Sequence, residues 1–130
     1  MVKEILRYKP IVLVVDDDEH IISAFEDFFR REYCTMMSAS NIDEAFRKMD
    51  KHPPDLLITD VRLQDQSGVT LFLRFKATYK DIPVIVMTGY FDSITEQEVV
   101  ALGAKCLLAK PLELTKLRSA VRSCLHLHDA

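Results

Sequence analysis

Asp16 and Asp17 in "VVDDDEH", Asp60 in "LLITDVRL", Thr88 in "VIVMTGY" and Lys110 in "LLAKPL" are the residues of this 130-residue chain best suited to chemistry. Each stands at or just past the end of a short apolar run, and together they supply three carboxylates, a hydroxyl and an ammonium. Carboxylates crowded as they are from Asp16 to Glu19 repel one another and raise one another's pKa unless a cation neutralises them. Alone, such a cluster reads as a solvated turn and helix cap, because Asp and Glu favour the first helical turn. With Asp60 and Lys110 it reads as half of a cation site. Hard Mg²⁺ prefers carboxylate oxygen and keeps waters, and it can bring an anionic phosphoryl group up to an anionic aspartate. Thr88 can hydrogen-bond one phosphoryl oxygen, and Lys110 can pair with another. The parts fit Mg²⁺-assisted phosphoryl transfer.

For these residues to meet, the runs before them must lie side by side. "PIVLVV" (10–15) reads as a strand buried on both faces. The helix after it carries Ile21, Ile22, Phe25, Phe28 and Phe29 on one face, with Asp18 and Glu19 in its first turn. "CTMMSAS" is a second strand, and Ser40 or Asn41 caps a helix with Ile42, Ala45, Phe46 and Met49 inward. "DLLIT" (55–59) is strand three, and the loop "DVRLQDQSG" leads to a helix with Val69, Phe72 and Phe75. "PVIVMT" (83–88) is strand four, followed by a helix over about residues 93–102 that Gly103 ends. "KCLLA" is strand five, and Pro111 opens a last helix with Leu114, Leu117, Val121 and Leu125 on one stripe. Five βα units in a row specify an α/β fold, a parallel sheet with helices on both faces. An open doubly wound sheet suits this length, whereas a TIM barrel needs about 250 residues. Such sheets bind ligands at the carboxyl ends of their strands, so all the singled-out residues would share one rim.

The totals agree with one domain over residues 1–130, its core at about 10–126. Hydrophobic residues make up 48% and charged residues 28%, an ordinary globular balance. A net charge of -3 gives no electrostatic case for nucleic acid. No run is long enough to span a membrane, and "MVKEILRYKP" has no signal-peptide core. Cys34, Cys106 and Cys124 are odd in number and lack metal-ligand spacing, which fits a reducing cytoplasm. His20, His52, His126 and His128 do not converge and read as surface or capping residues.

The ordered motifs "VVDDD", "LLITDVRL" with Gly68 eight residues beyond Asp60, "VIVMTGY" and "LGAKCLLAKP" resemble the receiver domain of two-component response regulators, from Ile11 to about Leu125. "TGY" and "LGA…KP" are similar to receivers attached to activator-type transcription regulators. The resemblance implies a flavodoxin-like (βα)5 sandwich with a five-stranded parallel sheet of order 2-1-3-4-5. It makes Asp60 the phosphoacceptor, Asp17 a direct Mg²⁺ ligand, Asp16 a ligand through water, and the Arg62 carbonyl a further ligand. Thr88 and Lys110 take switch and phosphate-pairing roles, and the Lys110–Pro111 bond would be cis. The implied partners are a sensor histidine kinase and an effector domain or downstream protein. A phosphorylation-dependent homodimer is implied as well, without contact to nucleic acid or membrane. The domain would be a signalling switch in the cytoplasm, not a conventional enzyme, catalysing its own phosphotransfer and dephosphorylation.

Two positions depart from the family pattern. Gln64 replaces the usual proline after the phosphoacceptor, and Leu107 replaces the usual switch aromatic. Arg62 and Tyr90 occupy the two variable positions flanking the site. A rival reading is a haloacid-dehalogenase-type phosphatase, since Asp16-x-Asp18 matches the start of that signature. His20 departs from it, and the chain is short for that fold. A degenerate receiver serving only for docking is opposed by the full set of Asp16, Asp17, Asp60, Thr88 and Lys110.

Overall fold

A computed structural model describes residues 9–63, 66–89 and 93–126. Its strands are β1 (Ile11–Val15), β2 (Thr35–Ala39), β3 (Leu56–Asp60), β4 (Arg62–Leu63), β5 (Gln66–Ser67), β6 (Val84–Thr88) and β7 (Cys106–Ala109). Its helices are α1 (Glu19–Arg30), α2 (Ile42–Lys51), α3 (Gly68–Thr78), α4 (Glu96–Ala101) and α5 (Leu114–Leu125). Five strands form a parallel sheet in the order β2-β1-β3-β6-β7, and β4 pairs with β5 in a separate antiparallel ribbon. Counting only the sheet strands gives 2-1-3-4-5, the flavodoxin-like order that the motifs imply.

Alternation along each strand divides the core into two layers. Leu13, Val15, Leu57, Val84 and Val86 face α2, α3 and α4, where Met49, Phe72, Phe75 and Val99 meet them. Val12, Val14, Leu56, Ile58, Ile85 and Met87 face α1 and α5, against Phe25, Phe28, Phe29, Leu117 and Val121. Strands β3 and β6 are buried throughout because helices cover both their faces.

The elements differ from the sequence expectation by more than a single residue in three places. Pro111 does not open the last helix, which begins at Leu114 after Glu113. Pro111 follows a cis peptide bond from Lys110, and Leu112 packs onto the α1/α5 layer before the helix starts. Helix α4 begins at Glu96, not near Ser93, because Thr95 caps it by accepting the Glu98 N–H at 3.2 Å. The segment expected as a plain loop after Asp60 contains the β4/β5 ribbon. Asp18 caps α1 from just before the first turn in which it was expected, Asn41 rather than Ser40 caps α2, and Gly103 follows the α4 C-cap with a φ of 111°.

One glycine fixes the approach of this ribbon to the sheet. A Cβ at Gly68 would lie 1.6 Å from the Asp60 carbonyl oxygen, a backbone atom that cannot swing away. Gly68→Ala is therefore expected to destabilise the protein by about 3 kcal/mol, within the range for forced overpacking. Urea denaturation of the two proteins measures the difference.

Candidate functional site

Strand β1 runs to β2 on one side of the sheet and β3 lies on its other side, so a crevice opens at the carboxyl ends of β1 and β3. Asp16 follows β1 and is 1% exposed, and Asp60 ends β3 at 7%. Neither carboxylate is left bare. Asp16 accepts the Asp18 N–H through Oδ1 at 2.9 Å and the Lys110 ammonium through Oδ2 at 2.7 Å. Asp60 accepts the Arg62 N–H through Oδ1 at 3.0 Å, and its Oδ2 also accepts from Lys110 Nζ. Lys110 thus bridges two aspartates from different strands.

The electrostatics follow from burial and this bridge. Burial pushes the Asp16 carboxyl above its ordinary pKa, and the bonds from Lys110 and the Asp18 N–H only partly offset it. For Lys110, burial works to lower the pKa, yet hydrogen bonds and charge from Asp16 and Asp60 prevail and raise it. The shifts differ in origin: desolvation wins at the aspartate, and two anionic neighbours win at the lysine.

The remaining expected residues are arranged around this centre. Asp17 is exposed beside Asp16, and Arg62 is exposed on β4. Thr88 ends β6 at 9% exposure, and its hydroxyl donates a long 3.4 Å bond to the Gly89 carbonyl. The Lys110 N–H donates to the Thr88 carbonyl at 2.8 Å, tying the lysine to the neighbouring strand end. Leu107 is half-buried at the edge of the α2–α4 layer. Its outward N–H donates to Glu96 Oε2 at 3.0 Å. Gln64, Tyr90 and His128 lie outside the described residues.

Among the described residues, no three His, Cys, Asp or Glu side chains converge closely enough to hold one ion. The lysine occupies the position between Asp16 and Asp60, while Asp17 points its charge from an exposed turn. The donor chemistry nevertheless fits Mg²⁺, because the carboxylates of Asp16, Asp17 and Asp60 and the Arg62 carbonyl are all hard oxygen. The cysteines add no ligands: burial pushes the Cys34 and Cys124 thiols up to about 11 and raises that of Cys106. Such thiols are inert at neutral pH.

Sequence reasoning missed two side chains that brace this region. Gln66 Oε1 accepts the Ile42 N–H at 3.0 Å, and Glu96 caps the edge of β7. Neither bond has a sequence signature, since the partners are 24 and 11 residues apart. The Thr95-x-x-Glu98 cap did have one.

A parallel sheet of this order, with two aspartates and a lysine gathered at the carboxyl ends of its strands, is suited to handling an anionic group there. The family model of the response regulator receiver domain matches residues 12–122, and the chain belongs to that family. Receiver domains of two-component response regulators act generally as phosphoryl acceptors and generally bind Mg²⁺ at the phosphorylation site. Sporulation initiation phosphotransferase F of Bacillus subtilis is 32% identical over 116 residues, covering 89% of this chain and 94% of that protein. Response regulator protein PilR of Pseudomonas aeruginosa is 33% identical over 117 residues, covering 90% of this chain but only 26% of its own length. The chain thus spans nearly all of one relative and about a quarter of another. The crystal structure of a putative response regulator from Chloroflexus aurantiacus matches with a TM-score of 0.83 and 30% identity, over 92% of this chain and 99% of that one. No helix among the described residues is long and apolar enough to cross a membrane.

Removing the shared cation tests the electrostatics. Lys110→Met leaves two buried carboxylates without their partner and is expected to cost about 3 kcal/mol at neutral pH. Because the folded lysine has a pKa above its ordinary 10.5, its contribution is fully present below that value. It is lost as pH rises through the raised folded value. The stability gap between wild type and Lys110→Met, measured in urea, should therefore hold from pH 7 upward and close only in strong alkali.

Proposed function

We propose that Asp60 is the residue phosphorylated in this receiver domain and that a sensor histidine kinase supplies the group. The observation that carries the reading is the fixed Asp60 carboxylate, held by the Arg62 N–H on one oxygen and Lys110 on the other. An Asp60 oxygen forms a bond to the phosphorus of a phosphohistidine while the phosphorus–nitrogen bond breaks. The imidazole nitrogen leaves with the electron pair and takes up a proton. Lys110, already at Asp60, pairs with a phosphoryl oxygen and remains near Asp16. Asp16, Asp17, Asp60 and the Arg62 carbonyl are the groups that would hold Mg²⁺, which neutralises charge on the phosphoryl oxygens when bound.

The switch then follows from bond strength. The long hydroxyl bond from Thr88 to Gly89 is weaker than one to an anionic phosphoryl oxygen, so Thr88 is drawn toward Asp60. Leu107 has no ring to follow that movement, so the response depends mainly on Thr88 and Lys110. The altered surface is that of α4, β7 and α5, which an effector domain or downstream protein reads. A phosphorylation-dependent homodimer through the same face is part of this reading, as are self-catalysed dephosphorylation and a cytoplasmic setting. Residues 1–130 act as one receiver unit, with Gly68 and Pro111 shaping its site loops.

Incubation with acetyl phosphate and Mg²⁺ is expected to add one phosphoryl group, seen by intact-protein mass spectrometry. Asp60→Ala should remain unlabelled. Persistent labelling of Asp60→Ala, with loss in Asp16→Ala, would transfer the role to Asp16 and favour the phosphatase-type reading.

Metal binding gives a second prediction. Mg²⁺ bound to the folded state alone raises stability, by about 2.7 kcal/mol at a hundred times its Kd. Melting curves should move upward with millimolar Mg²⁺, and Asp17→Asn should respond least. Equal responses in wild type and Asp17→Asn would remove Asp17 from the ligand set.

A further inference from the structure

We infer that Gln66 is a positioning residue for the phosphoacceptor. Its side chain pins the ribbon that follows Asp60 to the amino end of α2, and so holds the Arg62 N–H on Asp60. The inference rests on the reading of Asp60 as the acceptor.

The need for such a pin begins with the ribbon itself. Strands β4 and β5 have two residues each, with Arg62 opposite Ser67 and Leu63 opposite Gln66. So short a hairpin has little stability of its own and must be held by what surrounds it. Leu63 provides one hold, since it is 1% exposed and belongs to the α2–α4 layer. The Gly68 N–H provides another, donating to the Val61 carbonyl at 2.9 Å. Strand β5 is itself exposed, and the Gln66 side chain is what secures it to a neighbouring element.

The partner of Gln66 is equally in need. Ile42 is the first residue of α2, where the backbone N–H has no acceptor within the helix. The local caps are committed elsewhere: the Asn41 side chain accepts the Glu44 N–H, and Glu44 accepts the Ser40 N–H. Gln66 Oε1 accepts the Ile42 N–H at 3.0 Å, so one bond satisfies the helix and anchors the ribbon. From there the register continues through Leu63 and Arg62 to the 3.0 Å bond between the Arg62 N–H and Asp60 Oδ1. With Lys110 on Oδ2, that bond sets the plane of the carboxylate and hence the direction in which an oxygen meets phosphorus. Small losses of such alignment slow a reaction without weakening binding of its donor.

Two substitutions separate positioning from bulk. Gln66→Met keeps the length of the side chain and removes the acceptor, whereas Gln66→Glu keeps an acceptor oxygen. Each variant of the 130-residue chain is phosphorylated with acetyl phosphate over a range of concentrations at saturating Mg²⁺, and the Arg62 and Ile42 amides are followed by NMR. For Gln66→Met, the maximal rate should fall about tenfold, the scale of a modest misalignment. The half-saturating donor concentration should stay unchanged, and the Arg62 amide resonance should move. Gln66→Glu should retain the wild-type rate and Arg62 resonance. Phosphorylation of Gln66→Met at the wild-type rate, or an equal loss in both variants, would overturn the positioning role. Absence of label on Asp60 in the wild type would instead sink the acceptor reading, and this inference with it.

Discussion

The site depends on one ammonium shared by two buried carboxylates. Lys110 reaches Asp16 across 94 residues of chain and Asp60 across 50, so the bridge exists only once β1, β3 and β7 have taken their places. Burial works against charge on Asp16 and on Lys110. The bridge opposes that cost, because one ammonium stands within hydrogen-bond reach of both carboxylates. The cost of desolvation is thereby turned into a constraint on geometry: these oxygens cannot relax outward without abandoning the lysine.

The sheet makes that geometry available by placing residues that are remote in sequence on one rim. Central strands buried on both faces are rigid, and their ends carry the functional groups with little freedom. The loops beyond them are secured one bond at a time. Lys110 is tied through its N–H to Thr88, Arg62 to the Asp60 carboxylate, and Gly68 to Val61. The rigid part sets where Asp60 stands, and the loops set how its carboxylate is turned.

The architecture was legible because its signals are local and repeated. Apolar runs such as "VLVV" and "VIVM" alternate with helical stripes such as Phe25, Phe28 and Phe29, and only a parallel sheet accommodates that order. The gathering of Asp16, Asp60 and Lys110 followed from the same order, since all three stand at strand ends. What escaped were features without periodicity. A ribbon of two-residue strands gives no alternation to read, and the Gln66 to Ile42 bond joins segments that nothing in sequence relates. Pro111 misled for a different reason. A proline often opens a helix, but here Leu112 first has to reach the core, and the helix waits until Leu114. Thr95 was legible, since Thr95-x-x-Glu98 is a capping pattern, yet the helix was expected from about residue 93.

The bond from the Leu107 N–H to Glu96 bears on how the molecule behaves in a crowded solution. Strand β7 is an outer strand, and an outer strand ordinarily presents unpaired main-chain donors on which a foreign strand can template. Here a carboxylate already occupies that donor and puts negative charge along the border. A strand approaching from another chain must evict Glu96 before it can add to the sheet. At Leu107 the border is thus guarded against the strand-by-strand growth that leads to fibrils.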